Sequence, residues 1–324
     1  MLEQLLSRLP PQAQFPNLLV GVETSDDAAV YRINDHQAVV ATTDFFFPIV
    51  DDPYDFGRIA AANALSDVYA TGGKPILALA IAGIPVNKIP PDLVARIFEG
   101  GAAICAEAGV PVAGGHTIDA AEPLYGLAAI GLVDPSRIKR NSDGRAGNAL
   151  ILGKGLGIGI LGAAINKGEI DEAGYTEMIA STTKLNTIGA ELAQMNGVRA
   201  LTDVTGNGLC GHLMEVCRGS KLAAEIEWDA LPILPNAKRY AEAGFNTGAT
   251  GRNWASYGDV VNVPETLAPW QRNLLMDPQT SGGLLVSCDG AIVDDVLALF
   301  RERGYGYARE IGALRTGEPH ITVR

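Results

Sequence analysis

The sequence predicts an α/β protein built from two domains. Three observations carry this reading. A chain of 324 residues exceeds one typical domain. Strand-like and helix-like patterns alternate in each half rather than segregating. A polar, basic stretch over 134–148, with Arg137, Lys139, Arg140 and Arg145, separates the halves and reads as the connection between them. The expected domains are therefore 1–135 and 147–324.

The elements follow in order. Residues 2–9 read as a short amphipathic helix, stopped by Pro10 and Pro11. Residues 28–33 and 38–43 are rich in Val and Ala and read as neighbouring strands, with Asn34-Asp35 as the turn. Helical spacing runs over 56–70 and stops at Gly72-Gly73. Residues 76–84 are apolar throughout and predict a buried strand. A second long helix is expected over 91–108, with Gly109 as its stop. Strands are expected at 110–113 and 124–133, with a polar loop over 114–123 between them. The second half opens with a strand at 149–152 and a Gly-rich turn over 153–162. Helices around 175–195 and 209–218, strands at 223–228 and 284–288, and a helix over 293–303 complete it.

Composition narrows the class. Hydrophobic residues make up 47% and charged residues 19%, enough apolar matter for sizeable cores. The net charge of −12 argues against a nucleic-acid partner, which needs a basic surface to neutralise phosphates. No uncharged apolar run is long enough to span a bilayer. No signal peptide opens the chain, since Glu3, Gln4 and Arg8 interrupt 2–9. The four cysteines form no Cys-x-x-Cys pair and read as buried reduced thiols of a cytoplasmic protein.

Acidic residues interrupt apolar contexts at Asp44, Asp67 and Asp203, and Asp26-Asp27 precede a strand. Each alone reads equally as a cap or turn residue. Several together suit an oxygen-rich cation site, and Mg²⁺ fits better than Zn²⁺ because no His/Cys cluster exists. Asn63 and Asp67 lie four apart and share a helix face, either a ligand face or an exposed polar one. Gly114-Gly115-His116-Thr117 reads as an anion-accepting turn or a plain turn with a surface histidine. The segment 153–159 resembles a phosphate loop but lacks the Gly-Lys-Ser/Thr ending, so a structural turn competes with a ligand contact. Asp277 to Gly283 reads as a loop, His212 as a satisfied structural histidine, and Cys210 with Cys217 as core.

Seven segments, in order, resemble the selenophosphate synthetases (selenide, water dikinases). They are Asp26-Asp27-Ala28-Ala29-Val30, Thr42-Thr43-Asp44-Phe45-Phe46, Asn63-Ala64-Leu65-Ser66-Asp67, Gly114-Gly115-His116-Thr117, Thr202-Asp203-Val204-Thr205-Gly206, Asn253-Trp254-Ala255-Ser256-Tyr257-Gly258 and Asp277-Pro278-Gln279-Thr280-Ser281-Gly282-Gly283. The resemblance spans essentially the whole chain. It implies a two-domain fold like that of aminoimidazole ribonucleotide synthetase, with an N-terminal mixed sheet that forms a barrel across a homodimer. It implies a phosphotransferase that uses ATP, with Mg²⁺, to turn selenide and water into selenophosphate, AMP and phosphate. By motif position it implies Asp27, Asp67 and Asp203 as magnesium ligands. Thr24, Ser25, Asp26, Asp44 and Asp67 match nucleotide contacts, and Asn63 joins them. Gly115, His116 and Thr117 match the segment that reaches ATP from the partner subunit.

Two departures stand out. The family carries an N-terminal Gly-rich loop with a Cys and a Lys, and no Gly-Cys-Gly-x-Lys pattern occurs in this sequence. No catalytic residue is therefore assigned, and such a chain is expected to bind ATP with Mg²⁺ but make little selenophosphate. Asn207 stands where Phe is usual. Two other functions compete with the synthetase: a non-catalytic, regulatory nucleotide-binding homologue, and a sister ATP-dependent enzyme of purine or thiamine metabolism.

Overall fold

A computed structural model describes residues 15–22 and 25–324. The helix expected over 2–9 and the contact expected at Thr24 lie outside the described residues. Two mixed sheets organise the chain. The first has the strands β1 (Leu18–Val20), β2 (Ala29–Arg32), β3 (Ala38–Phe46), β4 (Lys74–Ile84), β5 (Val112–Asp119) and β6 (Leu124–Val133), in the order β1-β2-β3-β6-β4-β5. All neighbours are antiparallel except β4 and β5. The second has β7 (Ala149–Leu152), β8 (Val198–Asp203), β9 (Ala223–Ile226), β10 (Val261–Asn262), β11 (Leu284–Cys288), β12 (Arg309–Arg315) and β13 (Ile321–Val323), in the order β10-β13-β9-β12-β7-β11-β8.

Helix α1 (Pro53–Ala70) connects β3 to β4, and α2 (Pro91–Glu107) connects β4 to the parallel β5, as crossover connections require. The start of α1 is set locally: Pro53 occupies the first turn, and Asp52 accepts from the Asp55 N–H at 2.9 Å. Most of α1 from Phe56 onward is buried, because the first sheet, α2 and the second half of the chain all pack on it. A helix that is apolar nearly all round belongs in such a place. Its Asn63 is 3% exposed, so the shared face with Asp67 is interior rather than solvated.

Glycine permits the tight contact between α1 and α2. A Cβ on Gly57 would stand 1.9 Å from the Ile97 carbonyl oxygen, and one on Gly100 would stand 2.0 Å from that of Tyr54.

The structure corrects several sequence expectations. The segment 114–119 is not a loop but most of β5, paired in parallel with Ala80 to Ile84. Gly114 and Gly115, at φ 144° and 151°, read as turn residues. The reason for Gly115 is proximity, since a Cβ there would lie 2.0 Å from the Ala80 carbonyl oxygen. Strand β4 is not buried on both faces. Register places Tyr31, Phe45, Leu79 and Ile118 on the sheet face away from the helices, with exposures of 47%, 48%, 38% and 51%. The Gly-rich turn over 153–162 ends early, at a helix over Ile158–Asn166 (α3). The helix expected around 175–195 is two helices, Glu172–Thr182 (α4) and Ile188–Leu192 (α5).

The stretch 134–148 is anchored. It forms two short 3₁₀ turns, Asn141 is fully buried, and the Lys139 amine donates to the Val198 carbonyl at 2.6 Å.

The helix pairing makes a prediction. Gly57→Ala and Gly100→Ala should each destabilise the fold by about 3 kcal/mol, the cost of overpacking a close contact. Gly251→Ala, on an exposed helix with nothing within 4 Å of its would-be Cβ, should leave stability unchanged or raise it slightly. Urea denaturation of the three variants separates these outcomes.

Candidate functional site

The helix-facing side of the first sheet, the buried face of α1 and the end of β8 converge on a group of carboxylates. Asp44 lies within β3, Asp67 on α1, Asp27 just ahead of β2, and Asp203 at the last position of β8. Alternation puts Asp44 and Thr42 on the same sheet face as buried Val40, toward α1. Pairing of β8 with β11 sets Asp203 opposite Leu284.

Each carboxylate has a neutral hydrogen-bond donor. The Thr42 hydroxyl donates to Asp67 at 2.5 Å and the Thr202 hydroxyl to Asp27 at 2.8 Å. The Asn63 amide donates to Asp44, and Ser66 donates to Asp203. Neutral donors do not cancel charge, and the electrostatics show it. Burial, then repulsion from Asp203 and Asp67, pushes Asp27 well above the usual carboxylate range. Burial and Asp203 do the same to Asp67. Asp44 is pushed up to about 6 by burial and by Asp203. Burial raises Asp203 too, against the pull of His212 and Lys154. Asp203 is 1% exposed and its Oδ2 has no hydrogen-bond partner.

Such a cluster is short of positive charge. No three His, Cys, Asp or Glu side chains among the described residues enclose an ion by themselves. The donors fit a hard cation that takes a few carboxylates and completes its shell with water and phosphate oxygens, as Mg²⁺ does. The orphaned Asp203 oxygen is the clearest mark of that fit.

The remaining expected residues divide. The Asn63 side chain is spent internally: its Nδ2 serves Asp44 and its Oδ1 accepts the Ser281 N–H at 2.7 Å. Asp26 accepts the Asn141 N–H at 2.7 Å, and the Ser25 carbonyl accepts the Asn141 amide at 2.9 Å. Ser25 itself is exposed, with φ 52°. Gly115, His116 and Thr117 are not brought to the cluster. They lie on the exposed edge strand β5, three strands from β3, which is roughly 14 Å at ordinary strand spacing. His116 also faces the opposite side of the sheet from Asp44.

Several structurally decisive residues carried no clear signal. Gln279 Oε1 accepts from the Gly157 and Ile158 N–H groups, each at 3.1 Å, and Asp277 Oδ2 accepts from Gly159 at 3.0 Å. The N–H groups that made 153–159 resemble a phosphate loop are thus occupied by the 277–283 loop, and the segment is a helix start. Lys154 is 4% exposed and donates to the Ser281 and Lys184 carbonyls at 2.7 and 2.6 Å. Burial pulls its amine down to about 7, opposed by Asp203. Lys154 also lines a cavity of about 920 Å³ with Thr176, Ser181, Lys184, Tyr305 and Tyr307, which none of the four carboxylates touches. The four cysteines are buried and unpaired, and burial pushes the thiols up, Cys105 to about 11.

Comparison with known proteins places these features. The model for AIR synthase related protein, N-terminal domain, matches residues 25–133, and that for the C-terminal domain matches 145–323. The chain is 59% identical over 323 residues to a selenide, water dikinase of Paraburkholderia xenovorans (strain LB400), covering 100% of this chain and 91% of the relative. It is 56% identical over 327 residues to one of Rhizobium meliloti (strain 1021), covering 100% and 93%. Among solved structures, thiamine-monophosphate kinase from Stenotrophomonas maltophilia K279a superposes with a TM-score of 0.70 at 20% identity, covering 99% and 94%. A HypE–HypF complex gives 0.73 at 17%, covering 100% and 95%. These two likenesses establish the fold alone.

Asp277 yields a pH prediction. Burial raises its carboxyl from 3.8 to about 7, against its hydrogen bonds to Gln279 and Gly159. The folded state then holds a proton that the unfolded chain has released. The stability this contributes is fully present below the unfolded value of 3.8 and is lost as pH rises to the folded value of about 7. Asp277→Asn should shallow the decline of unfolding free energy between those limits by about 1.4 kcal/mol per pH unit. Denaturation curves at pH 4.5, 5.5 and 6.5 measure the difference.

Proposed function

The chain belongs to the selenide, water dikinase family, and from that membership we propose that the carboxylate cluster is where it converts ATP, selenide and water to selenophosphate, AMP and phosphate. The observation that carries the site assignment is the gathering of Asp27, Asp44, Asp67 and Asp203 into one buried, mutually repelling group. Asp27, Asp67 and Asp203 would hold Mg²⁺. When bound, the ion offsets triphosphate charge and stabilises the charge that spreads over a transferring phosphoryl group.

The protein's own residues do the positioning. Thr42, Thr202 and Asn63 fix the carboxylate rotamers, so the donor set stands ready before the ligand arrives. Thr24, Ser25, Asp26 and Asp44 are proposed to line the nucleotide, with Asn63 supporting Asp44 from behind. Residues 1–135 are proposed as the ATP-binding and dimerisation domain, and 147–324 as the domain that completes the site through Asp203.

A second copy of the chain is proposed to supply Gly115, His116 and Thr117. Their distance from the cluster within one chain supports this, as does the edge of β5, which no described strand pairs. Tyr31, Phe45, Leu79 and Ile118 form an exposed apolar face spanning the sheet, which a barrel closed across two subunits would cover. The described residues contain no helix long and apolar enough to cross a membrane. With four unpaired thiols and a net charge of −12, a cytoplasmic protein without a nucleic-acid partner is the reading we favour.

Three outcomes are expected. Incubation with ATP, Mg²⁺ and selenide should yield AMP and selenophosphate in equal amounts by ³¹P NMR, at a low rate because the sequence has no Gly-Cys-Gly-x-Lys loop; AMP no higher than in a selenide-free control refutes the activity. Asp27→Asn, Asp67→Asn and Asp203→Asn should each weaken Mg²⁺-dependent ATP binding at least ~10-fold by calorimetry, since even outer-shell partners of metal ligands are worth that much. Metal-free melting should not fall, because each substitution removes a repelling charge. Light scattering should give twice the chain mass, and Leu79→Asp with Ile118→Asp should return it to that of one chain.

A further inference from the structure

The cavity of about 920 Å³ in the second half of the chain lies apart from the four carboxylates, and its volume is that of a typical ligand pocket. One wall is a face of α4, where Ala173, Thr176, Ala180 and Ser181 recur at helical spacing. Ala173, Thr176 and Ala180 are exposed, so the space beside them is open rather than closed core. From Glu172 to Ser181 this wall runs roughly 14 Å, at 1.5 Å per residue. Another wall is the turn from Gly304 to Tyr307.

Charge divides the lining unevenly. The acidic residues are already engaged. Asp171 accepts the Gly174 N–H at 2.9 Å and pairs with Arg239 at 2.6 Å. Glu177 accepts the Asn236 N–H at 2.9 Å. Glu172 stands in the first turn of α4, where the helix dipole favours a negative charge. Lys184 has no such balance. Its amine lies 4.2 Å from the centre of the Tyr305 ring and donates to the Arg303 carbonyl at 3.3 Å. A Cβ on Gly304 would stand 3.6 Å from that amine, which therefore sits against the turn that walls the cavity. An ammonium carries three N–H groups, and the carbonyl takes one. No described carboxylate lies within ion-pair distance of Lys184, and Glu107 acts on it only from farther away. The buried Lys154 amine donates to the Lys184 carbonyl at 2.6 Å and fixes the backbone there.

We propose that this cavity binds a small amphipathic organic anion, with its one negative group on Lys184 and its apolar body along α4. The lining argues each part. Ala173, Ala180 and the Tyr307 ring, 36% exposed, offer apolar surface, so an apolar body gains by leaving water. Lys184 has N–H groups left for carboxylate or sulfonate oxygens, and charge on both partners strengthens those bonds. The acidic end at Asp171, Glu172 and Glu177 repels a second negative group. That confines the ligand's charge to one end, sets its direction and disfavours a polyphosphate. The proposal is independent of the dikinase reading, because no residue of the carboxylate cluster takes part in it.

The test titrates the full chain with two dyes whose fluorescence rises in apolar surroundings. One is anilinonaphthalene sulfonate, an amphipathic anion. The other is phenylnaphthylamine, the same body without the sulfonate. The wild type should bind the anionic dye saturably and about 10-fold more tightly than the neutral one, the worth of a charged hydrogen bond. Lys184→Gln should abolish that preference and leave the affinity for the neutral dye unchanged. Ala173→Phe and Ala180→Phe, on the exposed face of α4, should melt as the wild type does by circular dichroism and bind neither dye. ATP with Mg²⁺ should leave the bound dye in place. No saturable fluorescence in the wild type overturns the proposal, as does equal affinity for the two dyes. So does a preference that survives Lys184→Gln, which decides the matter even if a phenylalanine variant fails to fold. Dye binding kept in both folded phenylalanine variants puts the dye elsewhere and overturns it too. Displacement of the dye by ATP would make the cavity part of the nucleotide site and end the proposal.

Discussion

Four carboxylates share one poorly solvated crevice, and their mutual repulsion is the constraint around which the neighbouring structure is arranged. Left alone, such a group would favour taking up protons or separating. The chain prevents separation by placing three aspartates on different elements and the fourth, Asp27, just ahead of β2, and by tying each to a neutral donor: Thr42, Asn63, Ser66 or Thr202. It moderates the charge by holding Lys154 and His212 near Asp203. What remains uncompensated is the part that the proposed cation and triphosphate would complete.

That arrangement depends on α1 lying between the two sheets. One side of α1 packs on β3 and β6, and its other sides meet α2, β8 and the helices of the second half. Asn63 then reaches the Ser281 N–H, and Ser66 reaches Asn186, whose amide also serves the Gly282 carbonyl. Ser281 adopts φ 48°, a left-handed conformation unusual outside glycine. Asn63 on its N–H and Lys154 on its carbonyl hold it there. The halves are therefore joined by polar contacts at the site, and a change there is felt in both.

The first sheet has two unlike faces. The helix-covered face carries the carboxylate cluster, while the other exposes Tyr31, Phe45, Leu79 and Ile118 beside a strand edge that no described strand pairs. Exposed apolar faces and free edges are usually blunted in monomers. Here they adjoin Gly115 to Thr117, the one predicted binding segment that a single chain leaves far from the carboxylates. On the dimer proposed above, covering the face and completing the site would be the same event.

The sequence by itself determined the alternating α/β plan and marked the aspartates that interrupt apolar segments. Those signals are local: apolar periodicity marks elements, and an aspartate among Ala, Val and Leu is conspicuous wherever it lies. Only the tertiary structure decided what their neighbours do. Asn63 read as part of either a ligand face or an exposed polar one, and its buried bond to the Ser281 N–H was invisible because that partner is 218 residues away. The Gly-rich 153–159 segment read as either a ligand contact or a structural turn, and Gln279, 121 to 122 residues on, decides for structure by accepting the Gly157 and Ile158 N–H groups. Gly114 and Gly115 read as a turn, yet parallel pairing with β4 made them strand. Asn207 had no legible consequence until α6 (Gly208–Ser220) brought Glu215 to its side-chain amide. Hydrogen-bond partners distant in the chain leave no periodic trace in sequence, and it is those partners that turn a list of polar residues into a site.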